Sequence, residues 1–188
     1  MAATVMANPA IGERRDRLGE VCLRYINWRD SQRADKWQSM TLPLDRTPRY
    51  PSSDGIRTEM LADPKRLPGL LALHNRAYVG ASDYQKAGWI ERRALATSEG
   101  FDPTLIWLAY DGDKPVGYCM ARCGSVTGRI TGLAVLPEHR RRKIGTKLMQ
   151  RAIAELAQRG ATEVHLEVPR PDQHSQQLYR QLGFRDDA

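Results

Sequence analysis

The sequence predicts a mixed α/β domain with helices on both faces of a central sheet, and three observations carry that expectation. Short apolar runs of period two alternate with longer stretches of helical period, the pattern of strands interleaved with helices. Two of those runs are joined by Asp111-Gly112-Asp113-Lys114, which reads as a hairpin turn. The last two helical stretches stop at Gly160 and Gly183, the residue type that closes helices in a left-handed conformation.

A chain of 188 residues holds one well-buried core and little more. Residues 54–188 are therefore assigned to the domain and residues 1–53 to an N-terminal appendage. The appendage mixes charges of both signs with Pro43, Pro48 and Pro51 and has no long periodic stretch. Within it, Leu18, Val21, Cys22, Tyr25 and Ile26 recur at helical spacing, residues 37–44 alternate as a strand does, and residues 48–55 read as a linker. In the domain, a strand over 56–61 precedes a helix over 66–78, on which Leu67, Leu70, Leu71 and His74 share a stripe. A second helix is expected over 83–98, capped by Asp83 and ending before Gly100. Strands over 105–110 and 115–121 flank the hairpin turn, and another over 129–135 runs straight into a basic loop. The helix over 145–158 turns Leu148, Ala152, Ile153 and Leu156 inward. A strand over 163–168 and a helix over 173–182 complete the domain.

Hydrophobic residues at 41% and charged residues at 27% belong to a folding chain rather than a disordered one. No apolar run approaches the roughly 20 residues of a membrane span. No basic segment precedes the apolar residues at the N-terminus, so no secretory leader is read and a cytoplasmic location is expected. The three cysteines, Cys22, Cys119 and Cys123, lack a second Cys/His pair at zinc spacing, so they are read as reduced thiols with no metal. A net charge of +7 suits nucleic acid, an acidic membrane surface or a polyanionic small molecule. No helix-turn-helix, zinc or RNA-binding signature accompanies it, which disfavours nucleic acid.

The cations concentrate at Arg140, Arg141, Arg142, Lys143 and Lys147, directly after a hydrophobic strand and at the start of a helix. There, successive N–H groups and the positive end of the helix converge on one point, a natural seat for a pyrophosphate. Gly145 lets the backbone approach closely, and the basic residues supply countercharge.

The run Arg140-Arg-Arg-Lys-Ile-Gly145 resembles the Gln/Arg-x-x-Gly-x-Gly/Ala signature of the GNAT acetyltransferase superfamily, with Lys143 standing where its first Gly lies. Downstream, Val164-His-Leu-Glu-Val168 followed by Asp172, Ser175, Leu178-Tyr179 and Gly183-Phe184 is similar to the superfamily's later strand and its Asn-x-x-Ala-x-x-Leu-Tyr-x-x-x-Gly-Phe ending, with Asp172 and Ser175 replacing Asn and Ala. His74-Asn-Arg-Ala-Tyr78 and Gly100-Phe-Asp-Pro103 bring it nearest to the mycothiol-synthase-like members, which often hold two such domains in tandem. In that light residues 37–44 look like the closing strand of a preceding domain, and they are expected to pair with the sheet near the place of a final strand.

The resemblance implies a GNAT acyl-CoA N-acyltransferase fold, acetyl-CoA as co-substrate, and acetyl transfer to a primary amine of a small molecule or protein. Carried over onto matching positions, it implies that Leu133, Ala134, Val135, Arg140, Arg141, Arg142, Lys143, Ile144, Gly145, Thr146, Asp172 and Ser175 contact the co-substrate. Tyr179 is the implied general acid. No carboxylate lies between Gly124 and Val135, where related enzymes often place the base, so Glu167 is taken as its substitute, with His165 or a water chain as alternatives. Glu138 is expected to pair with a nearby Arg, and His74 and His174 to lie at the surface or cap helices. The competing reading is a degenerate domain that binds acyl-CoA or a partner protein, and a second copy of the chain is a candidate to cover an open sheet edge.

Overall fold

The computed structural model describes residues 36–44, 56–79 and 101–187. The helices expected around 18–26 and over 83–98, and the linker over 48–55, lie outside those residues. The described elements are β1 (Trp37–Pro43), β2 (Arg57–Met60), α1 (Leu67–Tyr78), β3 (Ile106–Asp111), β4 (Lys114–Cys123), β5 (Thr127–Val135), α2 (Ile144–Gln158), β6 (Glu163–Pro169), α3 (Gln173–Gln181) and β7 (Arg185–Asp186).

The strands form one sheet in the order β2-β3-β4-β5-β6-β1-β7. From β2 to β5 the chain is an antiparallel meander, and Gly112 takes the positive φ of +59° that the tight β3–β4 turn requires. β6 joins β5 in parallel after the chain crosses through α2. Helices lie on both faces, as the alternation of β4 shows: Tyr118 points to His74 of α1, whereas the next residue, Cys119, brings its Sγ 3.9 Å from Met149 Sδ of α2. Burial pushes the Cys119 thiol up to about 12. α1 buries Leu67, Leu70, Leu73 and Ala77, and α2 buries Ile144, Leu148, Met149, Ala152, Ile153 and Leu156, which together with the sheet form the core.

The strand expected over 37–44 enters the sheet between β6 and β7. The Leu44 N–H donates to the Thr162 carbonyl, and Thr41 Oγ1 lies 2.9 Å from His165 Nδ1, contacts that run in opposite senses along the two strands. Met40 and Thr41 pair on the other side with Asp186 and Arg185. A segment without periodicity long enough for a core of its own thus buries Met40 within the core of the domain.

Two irregularities of strand pairing shape the middle of the sheet. The register between β4 and β5 shifts at Met120/Ala121, leaving Thr131 as an extra residue on β5. Before it, Gly128 faces Leu156 of α2; after it, Leu133 and Val135 also point to that side, near Gly145. In addition, β5 and β6 pair only at Thr127–Glu163, Gly128–Val164 and Arg129–His165. Beyond those pairs β5 runs on to Val135 and the strands part, which opens a wedge.

Gly117 of β4 shows how little room is left between β5 and α2, since a Cβ there would meet the Ala134 carbonyl oxygen of β5 at 2.9 Å and Leu148 of α2 at 3.2 Å. Backbone cannot swing aside as a side-chain tip does, so Gly117→Ala is expected to destabilise the fold by about 1–3 kcal/mol. A melting temperature unchanged from the parent would contradict this.

Candidate functional site

The wedge is lined by backbone donors. The Leu133 carbonyl accepts the Tyr78 hydroxyl at 2.9 Å and the Val135 carbonyl accepts Arg140 Nε at 3.1 Å, while the intervening register keeps the Leu136 N–H on the Val116 carbonyl of β4 at 2.9 Å. In a strand, a residue's N–H and C=O point to the same side. The N–H groups of Leu133 and Val135 therefore face the wedge, and Ala134, opposite Tyr118, turns its own toward β4.

The chain then makes a 3-10 turn at Pro137–His139 and enters the basic loop. Arg141 (φ 64°) and Lys143 (φ 57°) are both left-handed, and residues of this kind set between right-handed or extended neighbours bring successive N–H groups onto one point. Lys143 is the N-cap of α2 and its side chain caps nothing, so the N–H groups of Ile144, Gly145 and Thr146 have no acceptor within the helix. Lys147 N–H is the first to close, on the Lys143 carbonyl. An anion seated here meets converging donors and the positive end of a fifteen-residue helix. A Cβ at Gly145 would stand 3.5 Å from Leu178, 3.9 Å from Val135 and 4.0 Å from Leu133. The bare glycine leaves a cradle between them, continuous with the wedge.

The side chains of the basic run divide the work. Arg140 also donates to the Ala77 carbonyl at 2.9 Å, Arg142 pairs with Asp111 at 2.7 Å, and Lys147 donates to the Ile56 carbonyl. The Arg142 contact holds the Asp111 carboxyl below its usual range. Arg141 and Lys143 are exposed and have no ion pair or side-chain hydrogen bond among the described residues. Arg140 and Arg142 thus tie the loop to α1, β5 and β3, and the side chains of Arg141 and Lys143 stand free of such contacts among the described residues. Ile144 is buried and offers its N–H alone.

Lys143 takes the left-handed conformation that glycine adopts freely, at a cost of about 1–2 kcal/mol for a residue with a Cβ. Lys143→Gly is expected to hold or raise the melting temperature and to weaken binding of the acetyl-CoA that the sequence resemblance implies by less than about tenfold, the effect of one exposed cation. A complete loss of binding would show that the ammonium, and not the backbone, carries the position.

Across the wedge, α3 presents Tyr179, which is 8% exposed and packs its ring 6.0 Å from that of Phe184. Burial is the main reason its hydroxyl is pushed well above the usual phenol range; the nearby Tyr78, Cys119 and Asp172 add to this, and the Ser175 hydroxyl opposes it. Asp172 caps α3, its Oδ1 accepting the Ser175 N–H at 3.0 Å and its Oδ2 the Ser175 hydroxyl at 2.7 Å.

The remaining candidates lie around these elements. Glu167 is on β6 past the last paired residue, 3.9 Å from Arg129. His165 is held between Thr41 and Glu163, each at 2.9 Å. Glu138 pairs with Arg76 at 3.0 Å, as expected, and His174 is exposed in the first turn of α3. His74 is not a surface residue: it sits half-buried with Nδ1 2.6 Å from the Tyr118 hydroxyl and its ring 4.7 Å from that of Tyr78. Tyr78, which lies on the Leu133 carbonyl beside the wedge, and the buried Tyr118, which meets His74 beneath α1, were not given a role by sequence. The available signal was slight, a His–Tyr pair four residues apart on the apolar face of a helix.

The profile of the acetyltransferase (GNAT) family matches residues 67–184. The chain belongs to the GNAT acetyltransferase family. It is similar to N-alpha-acetyltransferase 30 of Schizosaccharomyces pombe, 31% identical over 87 residues covering 44% of this chain and 58% of that protein. It is similar also to mycothiol acetyltransferase of Clavibacter michiganensis, 34% identical over 89 residues covering 47% of this chain and 29% of that one. The matches thus span less than two thirds of either relative. Among solved structures, a GCN5-related N-acetyltransferase from Sphaerobacter thermophilus superposes with a TM-score of 0.69 at 24% identity, over 81% of this chain and 48% of that one. That likeness shows the GNAT fold.

Proposed function

We propose that this GNAT chain is an acetyl-CoA-dependent N-acetyltransferase that transfers an acetyl group to a primary amine of a small molecule or protein. The observation that carries the reading is the continuity of the loop at Arg141–Thr146, the Gly145 cradle and the Leu133/Val135 wedge. A pyrophosphate seated on the converging N–H groups would send its pantetheine past Gly145 and place a thioester carbonyl against the N–H groups of Leu133 and Val135. Those donors would stabilise the oxyanion formed as the amine attacks. Tyr179 is the proposed proton donor to the departing thiolate.

The same continuity supports this reading over a degenerate domain, since the left-handed backbone at Lys143 is compatible with N–H groups that converge on an anion. The N-alpha-acetyltransferase and mycothiol acetyltransferase among the relatives support an amine acceptor, on a protein or on a small molecule. A cytoplasmic location is part of this proposal, and among the described residues no helix is long and apolar enough to cross a membrane.

The test is calorimetric titration with acetyl-CoA and with CoA, followed by CoA release from acetyl-CoA in the presence of peptides with free N-termini, polyamines, amino sugars and cysteine-type small amines. Micromolar binding with turnover on at least one amine is the expected result. Binding without turnover on any of them would favour the degenerate reading.

A further inference from the structure

The face of the sheet turned away from α2 carries a cluster of charged side chains. Gly128 faces Leu156 of α2, so Arg129, the next residue of β5, points to the opposite side. Arg122 of β4 is its direct partner across the ladder and stands on that same side. On β6, Val164, Leu166 and Val168 are buried, and Glu163, His165 and Glu167 alternate with them on the side of Arg129. His165 is engaged by Thr41 and Glu163, each at 2.9 Å. Arg122, Arg129 and Glu167 border the wedge, which opens directly after the Arg129–His165 pair.

Their arrangement has a definite ligand chemistry. Like charges set directly opposite one another in a ladder repel, a cost that an anion between Arg122 and Arg129 would remove. Two neighbouring guanidinium groups suit a carboxylate, which accepts charge-assisted hydrogen bonds from such planar donors. The Arg129 guanidinium also leans toward the wedge. Its Nη2 comes 3.9 Å from Glu167 Oε1, although the backbone pairing sets Arg129 level with His165, two residues before Glu167. Opposite charges thus stand side by side at the wedge, at a separation beyond hydrogen-bond range. A pantetheine passing Gly145 would lie against Leu133 and Val135 on the α2 side, so an amine would reach the thioester from the face that bears this cluster.

We propose that the acceptor amine of this acetyltransferase is an amino acid, its carboxylate held by Arg122 and Arg129 and its ammonium met by Glu167. The inference rests on the acetyl-transfer reading above. The spans agree with it. Drawn two residues along the strand toward Glu167, the Arg129 guanidinium is about two residues of β5 short of Leu133, roughly 7 Å at the rise of a strand. A hydrogen bond to a carboxylate takes about 3 Å of that distance. What is left fits an amine and a carboxylate a few bonds apart in one small molecule. A polyamine would bring a second cation against the arginines, and an amino sugar or the peptide bond behind an N-terminus would offer them only neutral acceptors, which make weaker hydrogen bonds.

The experiment offers the full chain alanine, β-alanine and glutamate, each beside its fully amidated form, together with a neutral peptide, a polyamine and an amino sugar. The readout is kcat and KM for the parent, Arg122→Gln and Arg129→Gln, with melting temperature and acetyl-CoA affinity as controls. The parent is expected to prefer at least one amino acid over its amide by about 100-fold in kcat/KM, a measurement that needs no variant. Each substitution is expected to cut that preference about tenfold, chiefly through KM, the effect of losing one hydrogen-bonded charge. A parent that acetylates the amides, the peptide, the polyamine or the amino sugar as well as the amino acids would overturn the assignment. So would variants that lose the same factor on acid and amide, the mark of a structural role. Turnover indifferent to the carboxylate removes this assignment alone, whereas acetyl-CoA binding with no turnover on any amine removes the acetyl-transfer reading and the assignment with it.

Discussion

Gly145→Glu is expected to raise the acetyl-CoA dissociation constant by at least about 100-fold, some 2.7 kcal/mol, without unfolding the protein. The neighbours of an added Cβ lie 3.5–4.0 Å away, ordinary contact distances, so the helix start accommodates the substitution. A carboxylate in the first turn of α2 also suits the positive end of the helix, which has no acidic residue there at present, so the melting temperature should hold or rise. The cost falls on the ligand: the new side chain fills the cradle and sets a negative charge where a pyrophosphate would rest. Like charges brought together at a binding surface cost several kcal/mol. Titration calorimetry beside a melting curve separates the two effects, and binding within threefold of the parent would place the anion site elsewhere.

That loop was legible in the sequence because its chemistry is local. A strand, a run of cations and a glycine at a helix start occupy consecutive positions, and the two closing glycines, Gly160 and Gly183, do take positive φ values of 91° and 98°. The strands of the meander and the face of α2 were legible for the same reason, since periodicity within one element decides which side is buried, whereas α1 buries Leu73 and Ala77 and leaves Leu71, expected on its stripe, only half-buried. What the sequence left open depends on residues far apart in the chain. The basic run reads as uniform charge, yet Arg140 is spent on Ala77 and Val135 and Arg142 on Asp111, partners that only the packing of α1 and β3 against the loop brings near. The left-handed backbone at Arg141 and Lys143 is likewise invisible in residue types that rarely adopt it.

The wedge has a different cause. Neither the bulge at Thr131 nor the parting of β5 from β6 after Arg129 has a residue signature, because both are properties of strand pairing and not of either strand alone. The bulge nevertheless decides which residues of β5 face α2 beside Gly145. His74 illustrates the limit in the other direction. Its place on the helical stripe was legible, but its engagement with Tyr118 depends on β4 lying beneath α1.

Tyr179→Phe carries the largest expected effect on turnover, a fall in kcat of about 100-fold with acetyl-CoA affinity within about threefold of the parent. The substitution removes one oxygen and keeps the ring against Phe184, so packing is conserved. The affinity is held by the loop and cradle, which the hydroxyl does not touch. The direction of the phenol's shift fixes the pH behaviour. Burial pushes it above its ordinary value of about 10. The group is therefore protonated across the whole assay range, and any high-pH limb in the parent's rate profile belongs to another ionisation. The variant should accordingly lower the profile by a similar factor at every pH, because the thiolate lacks its donor whether the amine arrives charged or neutral. Stabilisation of that thiolate by a neutral phenol is a hydrogen bond formed as charge develops, worth keeping even when the amine needs no help. A loss in Tyr179→Phe that vanishes as the pH rises would instead place the tyrosine on the amine side of the reaction.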